Sequence, residues 1–224
     1  MSGVSPLSEI ATALESVGIF MRGVVRFDEG EGPELEDGDA ARSVVLLGNV
    51  GGSIWPAFAL WRENYTGPDP LDTWSKAMIG PLARKLSATA YFPSDPPYQP
   101  FQRWALQAED LKPSPLGILL HPRYGLWHGY RGALGFSFAV DCPPAEMEPV
   151  TELGSWDEAC VTACPVAAVT SAGFDVAKCR AYLQSEAGQA TCMVSGCASR
   201  NACPIGAEFR YPPDQLRFHM RALF

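Results

Sequence analysis

Cys160-Val161-Thr162-Ala163-Cys164-Pro165 is the stretch on which the reading of this chain turns, and Cys203-Pro204 supplies a second Cys-Pro ending. Between them stand Cys179, Cys192 and Gly196-Cys197. Six of the chain's seven cysteines therefore fall between Cys160 and Cys203. Closely spaced thiolates on a tight loop reach several corners of one metal cluster. A thiolate just before proline points away from them, and the proline stops the helix and holds the turn. Free cysteine also packs well as a small apolar residue, but packing alone does not require two Cys-Pro endings.

The rest of the chain narrows the function classes. Hydrophobic residues make up 47% and charged residues 19% of 224 residues, enough apolar material for a real core. That length suits one generous domain, or one larger domain with a small satellite. The net charge of −8 argues against a nucleic-acid partner and against docking to anionic membrane. Met1 to Glu9 lacks a basic region and an apolar region, and no apolar run is long enough to span a bilayer. The expected location is cytoplasmic, where a cysteine cluster is more often metal-binding or redox-active than disulfide-bonded.

Twenty prolines and 21 glycines predict many turns. Helices are expected over Ser8–Val17, Ser53–Asn64, Asp72–Leu86 (with Asp72 at or near its N-cap), Phe101–Glu109 and Pro213–Leu223. Strands are expected over Gly18–Phe27, Ser43–Leu47, Ala88–Phe92, Gly117–Leu120 and Ala133–Val140. Asp28–Asp39 reads as a solvated acidic loop, and Pro93–Pro100 as an ordered loop or rigid lip. Gly48-Asn49-Val50-Gly51-Gly52 between a strand and a helix suggests a phosphate cradle, but the GxGxxG spacing is absent. The pattern predicts an α+β fold, with residues 1–150 as one domain and 151–224 as a cysteine-rich module beginning near Thr151.

The cysteine tail resembles the bacterial ferredoxin run C-x2-C-x2-C-x3-C-P. It also resembles the C-terminal module of epoxyqueuosine reductases and corrinoid reductive dehalogenases, and, more closely, short bacterial ferredoxin-like proteins. The resemblance implies metal ligation by Cys160, Cys164, Cys179, Cys192, Cys197 and Cys203. The chain departs from the pattern at Gly154, Asp157 and Ser199, which occupy cysteine slots. The crossover of that family would assign Asp157, Cys160 and Cys203 to one cluster. Cys164, Cys179 and Cys197 would go to the other, with Cys192 as a substitute ligand. Four readings stand open. They are one [4Fe-4S] cluster on Cys164, Cys179, Cys192 and Cys197; two imperfect clusters; a metal-free remnant with buried thiols or disulfides; and a structural zinc site.

A second motif runs from His121-Pro122-Arg123-Tyr124-Gly125 through Trp127-His128-Gly129-Tyr130 to Arg131-Gly132. Glycines at 125, 129 and 132 let a backbone approach a flat ligand, Tyr124, Trp127 and Tyr130 offer apolar area with polar tips, and Arg131 offers a planar fork. The segment resembles the H-P-R-[FY]-G-x-W-x3-R-G stretch of CblC-type (MMACHC) cobalamin processing proteins. That resemblance implies a nitroreductase-like mixed sheet with flanking helices. It also implies cobalamin contact by His121, Arg123, Tyr124, Gly125, Trp127, Arg131 and Gly132, with no histidine on cobalt. A flavin-binding nitroreductase relative is a further reading, one without a clear phosphate site. No catalytic set is legible. Asp95 in Phe92-Pro93-Ser94-Asp95-Pro96 is displaced from the acid motif of epoxyqueuosine reductases, and their G-K-N motif is replaced by Ser114-Pro115-Leu116. The combined expectation is an iron–sulfur electron-transfer protein, with a corrinoid and a redox partner protein or small-molecule cofactor as its counterparts. Its alternative is a non-enzymatic cobalamin carrier or ferredoxin-like partner.

Overall fold

The computed structural model describes residues 5–141 and 156–223. The boundary expected at Thr151, Gly154, the side chain of Asp157 and the seventh cysteine, Cys142, lie outside what is described. The fold is mixed α+β and divides into two compact units. One contains residues up to Asp110 together with the stretch from Gly129; the other contains Leu111–His128 and the C-terminal region. The His121–Gly132 motif is thus shared between them. No described helix is long and apolar enough to cross a membrane.

The first unit is built on a four-stranded antiparallel sheet. Its strands are β1 (Phe20–Arg26), β2 (Ser43–Val50), β3 (Thr89–Tyr91) and, later in the chain, β6 (His128–Phe136), in the order β1-β2-β6-β3. β2 is an unbroken apolar run because it lies inside the sheet, and Val44 to Leu47 are wholly buried. Its partner β1 carries a bulge at Arg22, between the pairs Met21–Leu47 and Gly23–Leu46. Helices α1 (Pro6–Leu14), α2 (Trp55–Arg62), α3 (Pro70–Lys85) and α4 (Phe101–Ala108) flank it. α1 runs on into a 3-10 turn over Glu15–Val17, which Gly18 closes with a left-handed φ of 78°. An added Cβ at Gly18 would lie 2.0 Å from the Ser53 carbonyl oxygen.

Most boundaries shift by a residue or a few from the sequence expectation, and four of the differences bear on the motifs. Gly48-Asn49-Val50 continues β2 instead of forming a cradle, because the Gly129 carbonyl oxygen of β6 lies 2.3 Å from where a Gly48 Cβ would stand. That glycine serves sheet packing rather than phosphate approach. α3 starts at Pro70 after Asp69 in a left-handed conformation, so Asp72 lies in the first turn instead of capping it. β6 begins at His128, five residues before the expected Ala133, and ends at Phe136. The strand expected over Gly117–Leu120 contracts to two residues.

In the second unit that two-residue strand is β5 (Leu119–Leu120), paired antiparallel with β4 (Lys112–Pro113). A small hairpin follows, β7 (Val169–Thr170) and β8 (Gly173–Phe174). The remaining elements are short helices: α5 (Trp156–Thr162), α6 (Val176–Gln184), α7 (Glu186–Ala190), α8 (Cys192–Ser195), α9 (Ala198–Ala202) and α10 (Pro213–Arg221). None of these helices exceeds nine residues, and their apolar side chains gather in small groups rather than one core.

Candidate functional site

No disulfide joins the six described cysteines. Four belong together. The Cys179 thiol, on α6, lies within electrostatic reach of Cys197, Cys164 and Cys192. Burial first, and then those three neighbours, push it up to about 11. Each of the four reaches this place by a different local device. After α5, Pro165 prevents helix continuation and Ala167 takes a left-handed φ of 49°, so the chain curls round Cys164. The Ala168 N–H donates to the Cys164 sulfur at 3.2 Å, and the N–H groups of Val166 and Val169 are turned toward it. Burial acts to raise the Cys164 thiol, but these donors outweigh it and hold the thiol below its ordinary value.

Cys179 is carried by α6, whose start is fixed by the Asp175 side chain accepting from the Lys178 N–H at 2.9 Å. Cys192 opens α8 and is buried, packed with Leu183 and Met220. Gly196 follows α8 with φ 87°, and Cys197 sits at the N-terminal end of α9. Burial raises Cys197, opposed by the backbone N–H of Arg200; the nearby Cys192 raises it further, and the Ser199 N–H opposes.

Ser199, read in sequence only as the occupant of a lost cysteine slot, is 1% exposed. Its hydroxyl has no hydrogen-bond partner by ordinary geometry but stands beside the Cys164 sulfur, where it favours the thiolate. A sulfur with several N–H donors turned toward it suits a thiolate that carries charge.

Among the described residues no three His, Cys, Asp or Glu side chains are placed to share a single metal ion. A tetrahedral zinc site draws four ligands in around one ion, with Zn–S about 2.3 Å. A polynuclear cluster spaces its thiolates by its own width, so it suits a four-sulfur group looser than an ion site. Cys160 and Cys203 lie in a separate apolar nest with Leu120 and Leu126, 0% and 1% exposed.

The His121–Gly132 motif is organised by its own contacts. His121 Nδ1 accepts from the N–H groups of Arg123 at 2.9 Å and Tyr124 at 3.1 Å, so the neutral ring carries its proton on Nε2. Its ring stacks on Tyr124, with centroids 4.3 Å apart. His128 Nε2 donates to the Leu119 carbonyl at 2.9 Å. Gly125 has φ 57°, and an added Cβ would lie 1.8 Å from the Ile205 carbonyl oxygen. That close approach is occupied by the protein's own chain. Trp127 is wholly buried in edge contact with Tyr211, and Arg200 lies against both rings, at 4.5 and 4.6 Å. Arg200 also donates to the Leu126 carbonyl. The side chain of Arg123 is exposed and lies over the Tyr124 ring.

Arg131 and Gly132 belong to the first unit, where a Cβ on Gly132 would meet the Ile79 side chain at 2.8 Å. The same unit holds a buried ion pair that sequence reading missed. Arg22, at the bulge, donates to both Glu109 carboxylate oxygens at 3.0 and 3.2 Å and to the Asn49 carbonyl at 3.1 Å. The Tyr130 hydroxyl also donates to Glu109. Only the bulge, invisible in sequence, turns Arg22 inward.

Neither a protein-family model nor a curated protein matches the chain.

Proposed function

We propose that the chain is an iron–sulfur electron-transfer protein whose single [4Fe-4S] cluster is held by Cys164, Cys179, Cys192 and Cys197. One observation carries this reading: the thiols of Cys164, Cys192 and Cys197 stand within electrostatic reach of Cys179, and Cys179, Cys192 and Cys197 pack in one group. The donor set fits the group, since all four are sulfur and backbone N–H donors face the Cys164 sulfur. When bound, such a cluster accepts and returns single electrons, with a potential set by thiolate ligation, hydrogen bonds to sulfur and burial. The chain's own residues would hold it, shield it and supply those hydrogen bonds. Cys164 and Cys179 are each partly exposed, which offers a route for electrons at that edge.

In this reading residues 151–224, within the second unit, are the ferredoxin-type module, and the antiparallel sheet of the first unit belongs to its α+β companion. A corrinoid partner rests on the second motif alone. The burial of Trp127 and the filling of the Gly125 approach by Ile205 favour the electron-transfer reading over a corrinoid pocket at that turn.

Anaerobic purification with iron and sulfide analysis tests the proposal. About four irons and four sulfides per chain are expected, falling sharply in Cys179→Ser. Metal-free protein that also fails to take up iron and sulfide on reconstitution would overturn it and leave a protein-binding partner role.

A further inference from the structure

Buried polar atoms in folded proteins nearly always find a partner. Gln215 lies on α10 and is 1% exposed, yet neither its Nε2 nor its Oε1 has a hydrogen-bond partner. Among the described residues it is the one side chain with two such atoms. The buried face of α10 is otherwise apolar, formed by Leu216 and Met220. A carboxamide in that face loses its hydration with no compensating bond, whereas leucine or methionine would fill the same space without that loss. Glutamine therefore stands where folding alone favours an apolar residue.

The neighbours of Gln215 are the cysteines. A Cβ on Gly196 would lie 3.0 Å from the side chain of Leu216, the residue after Gln215, and Gly196 immediately precedes Cys197. Met220, one turn further along α10, packs with Cys192 and Leu183, and Cys179 and Cys197 pack against the same group. The α10 face that carries Gln215 is thus laid against α8 and the Cys192–Cys197 stretch. Ser199, two residues past Cys197, is likewise buried with a hydroxyl that has no partner. Two buried, unpartnered donors border the same stretch.

We infer that Gln215 is a hydrogen-bond donor to the iron–sulfur cluster, an inference that rests on the cluster proposed above. A cluster ligated by thiolates is anionic overall, and its sulfurs accept hydrogen bonds. The Gln215 Nε2–H group would donate to one of those sulfurs. The bond strengthens as the cluster gains an electron, so it favours the reduced form and raises the potential. Glutamine suits the task because it is neutral, so the metal-free chain buries no charge, and because its donor sits at the end of a long side chain.

The test uses the full chain, purified anaerobically and loaded with iron and sulfide, beside the same chain left metal-free. Gln215→Leu is the principal variant, and Gln215→Met serves if the first does not fold. Metal-free, the variant should unfold at a urea midpoint equal to or above wild type, because an unpaired carboxamide is gone. Loaded, its midpoint potential in a redox titration followed by absorbance should fall by about 40 mV. That is a roughly five-fold shift toward the oxidised form, the size of one ordinary hydrogen bond of about 1 kcal/mol. A lower urea midpoint for the metal-free variant, or failure of both variants to fold, would give the carboxamide a partner within the chain and overturn the inference. A loaded variant that keeps the wild-type potential overturns it too, and leaves the cluster itself in place. Wild-type chain that takes up no iron and sulfide defeats the cluster proposal and this inference with it.

Discussion

Gly125→Ala is expected to destabilise the second unit by about 2–5 kcal/mol, through two effects that can be separated. The first is conformational. Gly125 has φ 57°, and a non-glycine residue there costs about 1–2 kcal/mol. The second is steric. The new methyl would stand 1.8 Å from the Ile205 carbonyl oxygen and 2.7 Å from its carbon. Both obstacles are backbone, so one chain must move, and overpacking of this kind costs about 1–3 kcal/mol or more. Gly206 is the reciprocal position, with φ 66° and an added Cβ 2.3 Å from the Tyr124 carbonyl carbon. Gly117 supplies the control, because its φ is 73° but nothing lies within 4 Å of an added Cβ. Urea denaturation of Gly117→Ala should therefore show the conformational cost alone, while Gly125→Ala and Gly206→Ala show it with the clash. The double variant should lose less than the sum, since one displacement relieves both collisions. Equal midpoints for Gly125→Ala and Gly117→Ala would refute the close backbone contact. They would also return Gly125 to the list of positions open to a ligand.

Other variants probe the remaining features. Ser199→Ala removes the hydroxyl beside Cys164; a hydrogen bond worth about 1 kcal/mol corresponds to about 40 mV for one electron, so the cluster potential should fall by that order. An unchanged potential in a spectroscopic redox titration would remove Ser199 from the sulfur's environment. Burial lifts the Glu109 carboxyl above its ordinary 4.5, although Arg22 and Tyr130 both act to lower it. Folding therefore takes up a proton there: this group's contribution is complete below about pH 4.5 and is lost as pH rises through the folded-state value. Glu109→Gln should abolish that slope and cost about 3 kcal/mol by leaving Arg22 buried without its carboxylate, as urea midpoints across a pH series will reveal. Arg200→Ala should cost about 3 kcal/mol through the Leu126 carbonyl and two aromatic faces. Arg200→Lys should recover less than half, because an ammonium lacks the planar fork; full recovery in thermal unfolding would contradict that geometry.

Periodicity made much of the first unit legible. Ile10 and Leu14 announce α1, and the run Val44 to Leu47 announces a buried strand. The start of β6 was hidden because His128-Gly129-Tyr130-Arg131-Gly132 carries neither alternation nor β-branched residues. It becomes a strand because β2 and β3 flank it in the sheet, a tertiary effect that local propensity does not register. Gly48 and Gly125 looked like ligand approaches for a related reason. A glycine advertises that something comes close, but not whether that something is a cofactor or another part of the chain. In the cysteine region, the Cys-Pro endings drew attention to the stretch that holds the four-thiol group. Sequence could not reveal that Ser199 faces Cys164, or that Arg200 reaches back to Trp127, because both depend on how α9 packs.

The division of six thiols into four and two has a physical logic. Around Cys164, backbone N–H groups and the Ser199 hydroxyl compensate a sulfur anion in a partly buried setting. Ligation of a cationic cluster requires thiolates, so such donors belong where a cluster is held. Cys160 and Cys203 share an apolar nest with Leu120 and Leu126, which penalises an anionic sulfur. Cys179, Cys192 and Cys197 also pack on apolar neighbours, Leu183 and Met220 among them, so what sets the four-thiol group apart is the set of N–H donors at Cys164.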